Sequence, residues 1–126
     1  MVGEQISLRD YNLLCKKICN SSSSIVGVWA FNKDKEICSF TKKGILQPNA
    51  QEQQKMFVQA HIMASMANSN SQTYGELHFV MVRFENFDAF LFPIKPLEMV
   101  SIGCTRPYSV EDVANIAREA IYKQFQ

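Results

Sequence analysis

Apolar positions along the chain switch between helical and strand periods. Tyr11, Cys15, Ile18 and Cys19 continue from Leu8 at three- and four-residue spacing, with Asn12, Lys16 and Lys17 between them. This predicts a first helix that opens on the capping box Ser7-Leu8-Arg9-Asp10 and ends near Asn20. After the serine loop 21–24, the run Ile25-Val26-Gly27-Val28-Trp29-Ala30-Phe31 is apolar at every position, as in a strand covered on both faces. Polar residues 32–35 then turn the chain into a second strand over 36–42, forming a hairpin. Gly27 inside the first strand points to a helix packed closely over it or to a bulge.

Pro48 stops the chain, and Asn49 with Glu52 three residues later caps a second helix over 51–68. A polar loop over 68–73 follows. Residues 75–84, 87–94 and 98–105 read as three more strands, the first two joined by a tight turn at Glu85-Asn86. Pro93 and Pro96 are expected to mark the end of the fourth strand. Ser109, with Asp112 three residues on, caps a last helix whose stripe is Val110, Val113, Ala117, Ala120 and Ile121. Strands three and four are apolar on both faces: Leu77, Phe79 and Met81 alternate with Val80, Val82 and Phe84. A sheet of that kind needs helices on both sides. The expectation is an α+β, three-layer α/β/α domain with a five-stranded antiparallel sheet, in the order helix-strand-strand-helix-strand-strand-strand-helix.

The second helix carries two apolar sides. With successive residues about 100° apart, Met56, Phe57, Ala60, Met63, Ala64 and Ala67 share one arc that can cover the sheet. Val58, Ile62 and Met66, four apart, line a different side. Gln54, His61, Ser65 and Asn68 separate the stripes on one flank and Gln59 on the other. Lys55 lies one turn before Val58 on the second side. A helix covering a sheet needs one stripe, so the second meets a partner or the ends of other elements of the same chain. Met66 suits an adaptable contact.

Composition sharpens this. The chain has 126 residues, read as one domain over 1–126, with 47% hydrophobic residues including nine Phe and six Met. Such a chain buries roughly two-thirds of its unfolded surface and needs no metal or disulfide to fold. That apolar load fills a core completely or leaves some surface for a partner. The net charge of +1 argues against binding a phosphate backbone. No apolar run reaches the roughly 18 residues of a membrane span, and the N-terminus lacks a signal-peptide pattern. Cys15, Cys19, Cys38 and Cys104 form no C-x-x-C pair and read as structural thiols in a reducing, cytoplasmic compartment. Cys38 and Cys104 could approach each other in the sheet.

Candidate chemistry is sparse. No P-loop or dinucleotide fingerprint occurs. Neither His61 nor His78 has carboxylates at ligand spacing, so no metal and no cofactor are expected. A serine-rich loop without a placed His and acid is not a triad, and no catalytic residue is assigned. The aromatics between Phe79 and Phe92 alternate with other apolar residues, and Glu76, Glu85 and Asp88 are acidic, unlike an RNA-stacking sheet. Lysines at the first hairpin and second strand read as protection of a sheet edge.

The element order, together with the apolar glycine-containing strand running into Asn32-Lys33-Asp34, resembles the roadblock/dynein light chain family, over nearly the whole chain. The resemblance implies a sheet between one helix and a pair of helices. It implies a homodimer or a heterodimer with a paralogue, in which third strands pair edge to edge and second helices lie side by side. It also implies a non-enzymatic function: scaffolding or regulating small Ras-like GTPases, or linking cargo to motors. Carried onto this chain, the dimer surface would comprise Val58, Ile62 and Met66 with Leu77, Phe79 and Met81. The partner-facing surface would comprise Lys55, Gln59 and Ile62. A second reading is a ligand-sensing domain of PAS or profilin-like type, which would require a pocket.

Overall fold

The computed structural model describes residues 8–45 and 47–125. The first helix, α1 (Leu8–Asn20), ends where its periodicity ends. Ser7 of its expected capping box lies outside the described residues. Tyr11, Cys15, Ile18 and Cys19 are buried, joined by Leu14. Strands β1 (Ile25–Asn32) and β2 (Lys35–Thr41) form the expected hairpin. Helix α2 (Ala50–Asn68) opens on a complete capping box. Asn49 Oδ1 accepts from the Glu52 N–H at 2.9 Å, and Glu52 Oε1 accepts from the Asn49 N–H at 3.3 Å. The remaining elements are α3 (Ser71–Tyr74), β3 (Val80–Arg83), β4 (Asp88–Lys95), β5 (Glu98–Cys104) and α4 (Val110–Phe125). The Ser109 hydroxyl accepts from the Asp112 N–H at the start of α4.

The five strands form one antiparallel sheet in the order β2-β1-β5-β4-β3. Helices α1 and α4 cover one face. There Ile18, Val113 and Ala117 pack against Val28, Phe90, Phe92, Val100 and Ile102. Helix α2 lies on the other face, where Phe57, Ala60 and Ala64 pack on Phe31, Leu91 and Met99. The Phe57 ring stacks on Phe31 at 4.1 Å and the His61 ring meets it edge-on at 5.5 Å. Burial of apolar area on both faces is what fixes the register, because a one-residue slip would turn every side chain to the wrong layer.

Several expectations change. Residues 68–73 are not all loop, because α3 makes one turn before Gly75. At φ 95° Gly75 adopts a conformation that costs a residue with Cβ, which ends that turn. The third strand starts at Val80, not at residue 75. Val80 pairs with Leu91, so continuing the ladder would bring His78 opposite Pro93, which has no N–H to donate. Nor does Pro93 stop β4, which continues to Lys95. With β3 already ended, β4 is an edge there, and a register shift lies between Pro93 and Lys95. Edges and bulges are the places where a sheet tolerates proline.

Gly27 serves a bulge, with a register shift between Ile25 and Gly27, but the Trp29 ring lies over it and not a helix. Cys38 and Cys104 are on β2 and β5, separated by β1. The neighbour of Cys38 is Cys15, with Sγ atoms 3.6 Å apart. All four thiols are free and buried. The sheet-facing arc of α2 is also narrower than expected, for Met56 and Met63 are exposed.

Candidate functional site

The second apolar side of α2 stands clear of the protein. Val58, Ile62 and Met66 are 43%, 53% and 68% exposed, pointing away from the side that carries Phe57, Ala60 and Ala64. No other described element covers them. Lys55 and Gln59 are exposed beside them. A row of three large apolar side chains on one helix face is costly to hydrate, roughly 25 cal/mol per Å² of apolar surface.

The other half of the expected surface is placed differently. Leu77 and Phe79 precede β3 and only Met81 lies within it. Leu77 is half-buried. Phe79 and Met81 pack against the α1/α4 core, where the Phe79 ring lies 5.6 Å from Phe90 and 5.3 Å from Phe92. The sheet therefore separates their side chains from Val58, Ile62 and Met66. What adjoins the α2 layer from β3 is Val80 and Val82, which pack with the α2 core. Strand β3 is an edge of the sheet, with one side of its backbone free of strand partners among the described residues.

The position of that edge is set by a buried carboxylate. Asp88 is fully buried at the start of β4, directly across from Arg83. It accepts from Arg83 Nε at 3.0 Å and Arg83 Nη2 at 2.9 Å, from Arg106 Nη1, and from the Tyr108 hydroxyl. Arg106 also donates to the Phe84 carbonyl at 3.1 Å and to the Glu85 carbonyl. The Arg83 guanidinium, then the Tyr108 hydroxyl and the Arg106 charge, outweigh burial and hold the Asp88 carboxyl down at about 2. Burial and the neighbouring carboxylate push the Tyr108 phenol up to about 12. The cluster ties the β3–β4 turn to the segment after β5. In the sequence Asp88 reads only as one of the acids that set this strand apart from an RNA-stacking sheet. The usable signal was a charged residue opening an otherwise apolar strand, with an arginine across the hairpin.

His61, expected on a polar flank, is half-buried against Phe31, and its Nε2 has no hydrogen-bond partner. Burial lowers its pKa below the ordinary histidine value. His78 is exposed and outside β3. Among the described residues, no group of three or more His, Cys, Asp or Glu side chains is placed to hold a metal ion. No described helix is long and apolar enough to cross a membrane.

No protein-family model and no curated protein matches this sequence. Solved structures do match by shape. A roadblock/LC7 domain from Streptomyces avermitilis superposes with a TM-score of 0.69 at 11% identity, over 88% of this chain and 91% of that one. The gliding protein MglB from Thermus thermophilus gives 0.75 at 5% identity, over 96% and 90%. MglB from Myxococcus xanthus gives 0.74 at 9% identity, over 96% and 89%. Coverage is near complete in both directions, so the likeness is one of whole domains and not of a shared hairpin or sheet fragment. The helix-strand-strand-helix-strand-strand-strand-helix order, the antiparallel sheet and this likeness agree: the chain has the fold of the roadblock/LC7 domains.

Proposed function

We propose that this chain is a non-enzymatic dimeric module of roadblock type that binds a small Ras-like GTPase and regulates or scaffolds it. The observation that carries the reading is the exposed row Val58, Ile62 and Met66 on α2 in a domain whose β3 is a free sheet edge. Side-by-side packing of two α2 helices would remove that row from water. Edge-to-edge pairing of two β3 strands would satisfy the unpaired backbone groups. A sheet edge and a helix face on the same side of a domain form a self-complementary surface, as two-fold pairing requires. The partner-facing residues are Lys55 and Gln59, on the outer surface of the paired helices, with Ile62 at the border between that surface and the pairing row. Phe79 and Met81 contribute through the β3 edge on the α1/α4 side of the sheet, and Leu77 through the segment that leads into β3. The clamp in which Arg106 holds the Phe84 and Glu85 carbonyls and the Asp88 carboxylate keeps that edge in place.

Light scattering after size exclusion tests the pairing. The wild type is expected at about twice 14.4 kDa, and Ile62→Asp at 14.4 kDa with an unchanged circular dichroism spectrum, because Ile62 is half exposed in the single chain. A wild type that stays at 14.4 kDa at high micromolar concentration, or an Ile62→Asp variant that still pairs, overturns the assignment. Affinity capture from the source lysate, with wild-type and Lys55→Glu baits compared by mass spectrometry, tests the partner. A Ras-like GTPase enriched on the wild type and depleted on the variant is expected.

A further inference from the structure

Helix α2 seals its sheet face only where Phe57, Ala60 and Ala64 pack on it. Beside that contact, and reaching Phe31, Phe57, Ala60 and Leu91, is an apolar hollow of about 590 Å³ between α2 and the sheet. We propose that this hollow binds an uncharged, largely apolar small molecule, and does so independently of the pairing surface on the outer side of α2.

The floor is built for depth. The Trp29 ring lies on Gly27, where a Cβ would come within 2.5 Å of the ring. The Phe87 ring lies on Gly103, where a Cβ would come within 2.3 Å. Side chains at these two positions would lift both rings into the hollow and fill it. The two glycines therefore keep two aromatic faces flat against the sheet and leave space above them. Met56 and Met63 line the side towards α2, and their unbranched thioethers adapt to an occupant's shape.

The lining also selects by charge. None of the described lining residues is Asp, Glu, Lys, Arg or His. Polar groups are restricted to amides and hydroxyls, such as Gln59, Asn86, Ser101 and Thr105. A charged ligand would lose its hydration with nothing to replace it, whereas an uncharged one loses little. No peptide strand can be added along the floor, where β1, β5 and β4 already pair on both sides; the open edge, β3, only borders the hollow at Val82. The volume falls within the range of roughly 300–1,000 Å³ usual for small-molecule sites.

The test uses the chain's single tryptophan, Trp29, which lies in the floor. The uncharged dye N-phenyl-1-naphthylamine is titrated into the full chain while Trp29 emission is recorded. Saturable quenching at one dye per chain is expected. Binding should weaken at least tenfold in Ala89→Phe, which fills the floor, and in Met63→Glu, which adds a charge at the exposed rim. The sulfonated analogue 8-anilino-1-naphthalenesulfonate should bind at least tenfold more weakly than the neutral dye. Absent quenching in the wild type, unchanged affinity in Met63→Glu, or equal affinity for the sulfonate overturns the proposal. So does loss of dye binding as protein concentration rises, since a second copy would then fill the hollow. If Ala89→Phe does not fold, Met63→Glu and the two-dye comparison still decide the matter.

Discussion

Replacing Asp88 with Asn tests whether charge holds the β3 edge. The change keeps the side-chain shape, removes the negative charge, and turns an amide N–H towards groups that are themselves donors. Asp88 accepts from Arg83 at 2.9 and 3.0 Å and also from Arg106 and Tyr108. Breaking an ion pair by removing one partner costs about 3–5 kcal/mol when both are buried. Here the Arg83 and Arg106 side chains are 55% and 31% exposed, so their freed guanidinium groups rehydrate. The expected loss is therefore about 2–3 kcal/mol, the scale of one charge-assisted hydrogen bond. A chain of this length has an unfolding entropy of about 0.26 kcal/mol per kelvin, so the melting temperature should fall by about 8–11 °C.

The sign with pH follows from the lowered Asp88 pKa. The carboxyl titrates at about 2 in the folded chain, against about 3.9 unfolded. Its stabilisation is complete above about pH 5, shrinks as pH falls below the unfolded value and is lost as pH falls through the folded one. Thermal unfolding followed by circular dichroism at pH 7 and at about pH 2.5 should thus show two melting temperatures that converge in acid. Protein concentration must be held constant, because pairing makes the melting temperature depend on it. A difference under about 2 °C at pH 7, or one of equal size at both pH values, refutes the electrostatic account.

Three further outcomes are expected. Gly27→Ala places a Cβ 2.5 Å from Trp29 Cη2, so the ring must lift; open space above it keeps the cost near the low end of overpacking, about 1 kcal/mol, and the Trp29 emission spectrum should change. An unchanged spectrum would show that the ring does not rest there. Asn49→Ala removes the α2 cap and should lower the melting temperature by about 4 °C, corresponding to about 1 kcal/mol. The four free thiols are buried, and burial pushes Cys104 up to about 12, so a disulfide-exchange reagent at about pH 8 should label fewer than one thiol per native chain and all four in guanidinium.

Local pattern carried most of the architecture. The 25–31 run, the Asn49–Glu52 box and the stripes of α1 and α4 are written in neighbouring residues, and steric and hydrogen-bonding rules act on them directly. The outer stripe of α2 was legible for the same reason, since Val58, Ile62 and Met66 are aligned by helical pitch alone. Features that depend on which strands become neighbours were not legible. The short β3 follows from Pro93 lying in the partner strand. The pairing of Cys38 with Cys15 follows from β1 standing between β2 and β5.

The sequence by itself determined the elements other than the short α3, their order and the presence of a second apolar helix face, because each rests on periodicity within one segment. Only the tertiary structure decided that β3 is a free edge, that Asp88 anchors it, and that α2 covers part of a sheet face and leaves a hollow. These outcomes depend on where separate segments meet: the crossing position of one helix over the sheet, and donors from β3 and from the segment after β5 converging on one carboxylate.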